Sequence, residues 1–168
     1  NGAVAGDPVS TFSGAFLYEF SDVATQGLGP TPALTRWYNS ADSREGPMGP
    51  GWSFTYGARL REPGDATGDL LFVRPDGNTD RFEHQSGGIF DPSPATRATL
   101  VRNPDLGYTV TEVDRATWEF DPTGRLMAIA DRYGNTATLW YDGDDRILVE
   151  DPAGRGVLKL ELTDGRIT

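Results

Sequence analysis

The chain of 168 residues has no cysteine, one histidine (His84), one lysine (Lys159) and two methionines. Without cysteine there is no disulfide and no thiol chemistry. With a single histidine and no cysteine, a zinc site or a histidine-based proton relay has too few groups to build on. Apolar runs are only a few residues long, so no segment reads as a helix crossing a bilayer. Apolar periodicity of helical length is missing as well, and no helix longer than a turn or two is expected. Positive charge is scarce: the net charge is −10. A protein that neutralises nucleic-acid phosphates needs a basic face, and no cluster of arginines supplies one. Nucleic acids and anionic membranes are therefore poor partners for this sequence.

What is present is turn-forming and aromatic. There are 21 glycines and 12 prolines, together with 4 Trp, 6 Tyr and 8 Phe. Disordered chains lack aromatics in such numbers. The composition points to an all-β, turn-dense protein.

Three regions follow along the chain: 1–58, 59–112 and 113–168. In the first, Val9 to Phe20 reads as a strand pair turning at Ser13-Gly14, and the segment Gly27-Leu28-Gly29-Pro30-Thr31-Pro32 is a breaker. Strands are expected at Leu34–Asn39 and Trp52–Tyr56, joined by the turn-dense Gly46-Pro47-Met48-Gly49-Pro50-Gly51. In the second region, Leu70–Arg74 and Thr79–Glu83 flank Pro75-Asp76-Gly77-Asn78, a hairpin whose glycine accepts the positive φ such turns require. Tyr108–Val113 alternates and is rich in β-branched residues.

The third region holds a repeat. Phe120-Asp121-Pro122-Thr123-Gly124-Arg125-Leu126 is echoed by Tyr141-Asp142-Gly143-Asp144-Asp145-Arg146-Ile147 and by Leu162-Thr163-Asp164-Gly165-Arg166-Ile167. A second echo, Asp131-Arg132-Tyr133-Gly134-Asn135 against Asp151-Pro152-Ala153-Gly154-Arg155, is interleaved with the first. Two turn signals within one period of about twenty residues describe strands that go out and come back, stacking on their neighbours. Ala137, Leu139 and Tyr141 share one face, opposite Thr136, Thr138 and Trp140; Leu158, Leu160 and Leu162 share one face, opposite Lys159 and Glu161. Gly134 and Gly154 should occupy equivalent turn positions with positive φ.

These motifs resemble the Rhs/YD-repeat proteins. Tyr141-Asp142 with Arg146-Ile147 carries the tyrosine-aspartate repeat, Phe120-Asp121 with Gly124-Arg125-Leu126 is a variant, and Leu162-Thr163 with Asp164-Gly165-Arg166-Ile167 is degenerate. Asp131-Arg132-Tyr133-Gly134-Asn135 looks like the intervening turn. Gly6-Asp7-Pro8-Val9 with Ser13-Gly14, Leu34–Ser40 and Gly46–Ser53 look like the domain that opens Rhs shells. The resemblance implies twisted antiparallel hairpins stacked as repeats, an open segment of a β-spiral shell. It divides the chain into an Rhs opening domain (1–58), connecting hairpins (59–112) and about two and a half YD repeats (113–168). It implies a secreted or cell-surface bacterial protein, a non-catalytic structural role in enclosing or presenting a C-terminal toxin, and no cofactor. The family's self-cleavage motif has no full match, since Asp121–Gly124 and Asp151–Gly154 share only its first four positions. An open repeat sheet exposes strand edges, so a partner is expected at the edge near Leu158–Thr168: the remainder of a longer polypeptide or another copy.

Other chemistry is weaker in the sequence. Asp142-Gly143-Asp144-Asp145 could offer carboxylates to calcium, but a solvated turn explains it without further ligands. His84 reads as a surface or packed histidine. Trp37, Tyr38, Trp52, Trp118 and Trp140 could line a glycan- or receptor-binding surface, although alternating strand positions favour packing in the core. Dispersed carboxylates could serve a hydrolase, yet 25 acidic residues make chance pairs unavoidable. Gly27-Leu28-Gly29 has neither the helix nor the lysine that a phosphate cradle needs. No catalytic, cofactor-binding or metal-binding residue is assigned.

Overall fold

The computed structural model describes residues 14–27 and 29–168. The expected motif at Gly6–Val9, the part of the first strand pair up to Ser13, and Leu28 of the breaker lie outside them.

The architecture is all-β, antiparallel and open. Three strands, β1 (Leu17–Ala24), β2 (Ala33–Asn39) and β3 (Trp52–Phe54), form a small sheet in that order. The rest is one twelve-stranded meander in strict chain order: β4 (Arg59–Arg61), β5 (Leu70–Val73), β6 (Thr79–His84), β7 (Ile89–Pro92), β8 (Thr99–Arg102), β9 (Tyr108–Thr111), β10 (Thr117–Phe120), β11 (Leu126–Ala130), β12 (Thr136–Asp142), β13 (Arg146–Glu150), β14 (Val157–Thr163) and β15 (Arg166–Ile167). The only helical piece among the described residues is a single 3-10 turn at Ser86–Gly88. β1 runs on to Ala24, past the Phe20 expected from sequence, and its register is set by β2 (Tyr18 opposite Tyr38, Phe20 opposite Arg36).

Almost every strand of the meander sends an apolar side chain inward: Leu60, Phe72, Phe82, Phe90, Leu100, Val110, Phe120, Leu126, Leu139, Val149 and Leu160 are all buried in one cluster. That is the alternation of a half-buried sheet, repeated eleven times. Leu34, Phe54, Tyr56 and Ala58 join the same cluster, so the opening segment covers the inner face and one core serves both sheets. It also reaches out at several places. The Arg155 guanidinium donates to the Gln26 carbonyl at 3.2 Å, and the Ile167 amide donates to the Pro47 carbonyl at 2.8 Å.

The repeat acquires a physical meaning here. Phe120 lies opposite Leu126, Tyr141 opposite Ile147 and Leu162 opposite Ile167. In each echo the first residue and the aliphatic after the arginine form an inward-facing cross-strand pair that closes a hairpin. The turns between them differ. Asp164 (φ 51) and Gly165 (φ 75) make a two-residue turn with both φ positive, whereas 143–145 and 121–125 are longer. The interleaved echo is built alike in its two copies. The Asp131 carboxylate accepts the Tyr133 amide at 2.8 Å and the Asp151 carboxylate the Ala153 amide at 2.7 Å. The Gly134 and Gly154 amides return to the Asp131 and Asp151 carbonyls, and the two glycines have φ of 83° and 65°.

The meander also curls back on itself. The Leu60 amide donates to the Gly124 carbonyl at 2.9 Å, and Arg59 bridges Arg125. The start of β4 thus touches the tip of the β10–β11 hairpin, six strands away. Gly124 has φ 82°, and a Cβ there would collide with the Leu60 carbonyl. At Gly134, Gly143, Gly154 and Gly165 the same addition meets open space.

Candidate functional site

Three features could carry function: the carboxylates, the exposed aromatics and the sheet edge. Among the carboxylates, six aspartates whose acidity is shifted are committed to structure. Asp69, buried at the start of β5, accepts Arg81 through Nε at 2.8 Å and the His84 amide at 2.8 Å. The His84 amide and then the Arg81 guanidinium hold its carboxyl below the usual range against the opposing effect of burial. Asp65 is held down to about 2, first by the Thr67 hydroxyl and then by Arg81. The side chains of Asn135, Arg155 and Arg44 likewise lower Asp131, Asp151 and Asp42. Asp121 is lowered too: burial opposes this, and the hydrogen bonds from Thr123 and Arg125 outweigh it. A general acid needs the opposite shift. These aspartates act as acceptors that fasten turns.

The other sequence candidates separate. His84 stands at the exposed end of β6 with its ring 5.4 Å from that of Phe90. Asp142 pairs with Arg146 at 2.8 Å across the hairpin whose loop had suggested calcium. Among the described residues no group of three or more His, Asp or Glu side chains converges as a metal site would require.

The aromatics do not share one environment, which corrects the expectation of core packing. Trp118 is half-buried, its ring 5.9 Å from Phe72. Trp140 projects from the outer face and is 55% exposed, because it alternates with Leu139, which takes the core position. Tyr38 and Trp52 are half-buried and lie on one face of the small sheet with Phe16, Tyr18 and Phe20. Ring centroids are 5.1 Å apart for Tyr38–Trp52 and 6.3 Å for Phe16–Tyr38. Arg36 sits over Phe20 and Trp52 at 5.2 and 5.3 Å. Trp37 is on the opposite face, donating to Glu19 at 2.9 Å. All eight residues of β1 are exposed. Exposed apolar surface of this extent marks interaction surfaces. Phe16, Tyr18 and Phe20 complete this exposed aromatic face, although the sequence marks them only as strand residues; their alternation at every second position was the available signal.

The edge of the meander is divided. At β15 the sheet is covered, since Ile167 bonds Pro47. Along β14, the stretch Val157–Glu161 has β13 on one side and, among the described residues, no strand on the other; only the Thr168 amide reaches it, donating to the Glu161 carbonyl at 3.0 Å. Beside this stretch is a cleft of about 350 Å³ lined by Thr25, Gln26, Pro32, Asp151, Arg155 and Leu158 among others. Such a volume suits a side chain or a small ligand.

Comparison with known proteins adds a further observation. Residues 6–82 match the model described as a domain of unknown function (DUF6531). Over 135 residues the chain is 23% identical to the tRNA nuclease WapA of Bacillus subtilis (strain 168) and to the tRNA(Glu)-specific nuclease WapA of Bacillus subtilis subsp. natto. It is 22% identical to the tRNA3(Ser)-specific nuclease WapA of Bacillus spizizenii. The similarity covers 80% of this chain but only 6% of each relative. What the chain resembles is thus a small stretch of very long proteins that are named for nuclease activity.

Proposed function

We propose that this chain is a non-catalytic, structural segment of an Rhs-type β-shell, which encloses or presents a C-terminal toxin domain on a secreted or cell-surface bacterial protein. The observation that carries the reading is the meander itself, in which almost every strand contributes to one inner apolar line and, among the described residues, the outermost long strand has no strand along part of its outer edge. Such a sheet is extended by adding strands, as repeat architectures are. The similarity to WapA proteins supports the toxin context. The nuclease chemistry of those proteins belongs, on this reading, to other parts of their length, because the chain has net charge −10 and its perturbed aspartates are all turned to acceptor roles. Residues 1–58 serve as the opening domain, 59–112 as connecting hairpins and 113–168 as repeats. The partner is the remainder of a longer polypeptide or another copy, with no nucleic acid and no membrane insertion.

The test is the native mass of the protein purified from its own source, by light scattering and mass spectrometry. The chain should be recovered within, or bound to, a far larger Rhs polypeptide. Recovery as a free, cooperatively folding 18.2 kDa monomer would defeat the shell reading. A second reading then takes its place, favoured by the exposed face of Phe16, Tyr18 and Phe20: a module that binds glycans or a receptor. Tryptophan fluorescence during glycan titration separates the two, as Trp52 lies on that face.

A further inference from the structure

We propose that the segment joining β1 to β2 is a clasp: Gly27 and Gly29 seat on Arg155 and Asn135, the fifth residues of two successive turns at one end of the meander, and these two side chains specify where the opening segment docks. The contact needs only the sheet order described above and stands independently of the shell.

The segment is closed at its own base. The Thr25 hydroxyl donates to the Pro32 carbonyl at 2.6 Å, the Thr31 hydroxyl to the Thr25 carbonyl at 2.9 Å, and the Thr31 amide to the Gly29 carbonyl at 2.9 Å. What it meets is equally fixed. The Asn135 side-chain amide donates to Asp131 at 2.8 Å, and the Arg155 guanidinium to Asp151 at 2.8 and 3.1 Å. Each side chain is therefore held by its own turn where it meets the clasp. A Cβ at Gly29 would overlap that of Asn135, and a Cβ at Gly27 would overlap the Arg155 guanidinium, which also donates to the Gln26 carbonyl. The breaker glycines thus gain a role other than a phosphate cradle: bare backbone lets both turns approach.

The spacing explains why the second echo carries arginine where the first carries asparagine. The β11–β12 and β13–β14 turns lie two strands apart, which is ~10 Å at the usual strand separation. Two residues of chain reach at most ~7 Å. The shorter Asn135 meets Gly29 directly, and the longer Arg155 spans the remaining distance to Gly27. The next turn at that end, between β9 and β10, has Ala116 in the fifth position. A clasp shifted there by two strands would lose the arginine contact. β1 sends no side chain into the core, which leaves β2 and the clasp to hold it.

Amide hydrogen exchange on the 168-residue chain tests the clasp, and Gly27→Ala is the first variant. Gly27 lies outside the left-handed region, so with nothing above it an alanine would leave exchange unchanged or slow it. The clasp requires the opposite. Thr31 and Ala33 should exchange faster by about 10-fold or more, as in a local opening, with Leu139 and Val149 unchanged. Arg155→Ala should speed the same amides. The double variant Gly27→Ala/Arg155→Ala should then exchange no faster than Arg155→Ala alone, since the added methyl meets nothing. Gly29→Ala with Arg155→Ala should be faster than either, because Gly29 answers to the other turn. Unchanged or slower exchange in Gly27→Ala overturns the clasp, as do effects of Gly27→Ala and Arg155→Ala that multiply. Should Arg155→Ala also free Leu139 and Val149, the sheet itself has loosened, and Gly27→Ala, which leaves the Asp151 turn intact, decides alone.

Discussion

The small sheet and the meander use the same kinds of residue in opposite ways. In the meander, Phe72, Phe82 and Leu139 are fully buried and the strands hold together through one inner line. In the small sheet, Phe16, Tyr18 and Phe20 are each more than 40% exposed, and β1 is fastened laterally instead: Arg36 to Asp22 at 2.5 Å, Trp37 to Glu19, and rings against rings. Apolar burial stabilises in proportion to the area removed from water, while exposed ion pairs contribute a fraction of a kcal/mol. The meander is therefore the stable part of the molecule and the face of β1 is the part available to something else.

The sharpest way to break that comparison is to delete one side chain from each region. Leu139→Ala should destabilise by about 3 kcal/mol, the range for a buried leucine that leaves a cavity. Tyr18→Ala should change stability by about 1 kcal/mol or less. Urea midpoints measured by tryptophan fluorescence decide it, and equal losses would mean that β1 is as much core as β12. A smaller effect separates two glycines that look alike in sequence. Gly124→Val must strain a residue at φ 82° and also push against the Leu60 carbonyl, so a loss of about 2 kcal/mol or more is expected. Gly134→Val has the strain alone and should lose about 1 kcal/mol. If the two variants melt together, β4 is not held by the β10–β11 tip.

Much of the fold was legible because the inner face follows a strict period of two. Ala137, Leu139 and Tyr141, and Leu158, Leu160 and Leu162, lie on the faces that alternation assigned to them. Gly134 and Gly154 were legible because a four-residue Asp-x-x-Gly span has few backbone solutions. The turns at 103–107 and 112–116 were not, although the Asp105 and Asp114 carboxylates accept the Gly107 and Ala116 amides much as Asp76 accepts Asn78. Their left-handed positions carry Leu106 (φ 72) and Arg115 (φ 71) instead of glycine, so the usual signal of such a turn is missing. The curl of β4 onto Gly124 was illegible for another reason: it joins residues more than sixty apart and depends on twist accumulated over several strands. The aromatics of the small sheet misled because strand alternation tells which residues share a face, but not which face is covered.

The last comparison concerns pH, where the effect is spread over many groups. Asp65, Asp69, Asp121, Asp131 and Asp151 all fasten the meander, and each has its carboxyl lowered from the ordinary value of 3.8 by hydrogen bonds that exist only in the fold. A depressed carboxyl contributes stability that is fully present above its unfolded pKa and is lost as pH falls through its folded pKa. The melting temperature should therefore be insensitive to these groups above about pH 5 and fall progressively as pH drops below about 4 towards 2, the value to which Asp65 is held. Replacing Asp131 by Asn keeps a turn acceptor but removes the titration. That variant should melt lower than the parent at pH 7, and the gap should narrow at pH 2.5, where the parent's own carboxylates are taking up protons. A gap of constant size across that range would show that Asp131 fastens its turn through geometry alone, and that the meander owes its acid sensitivity to other carboxylates.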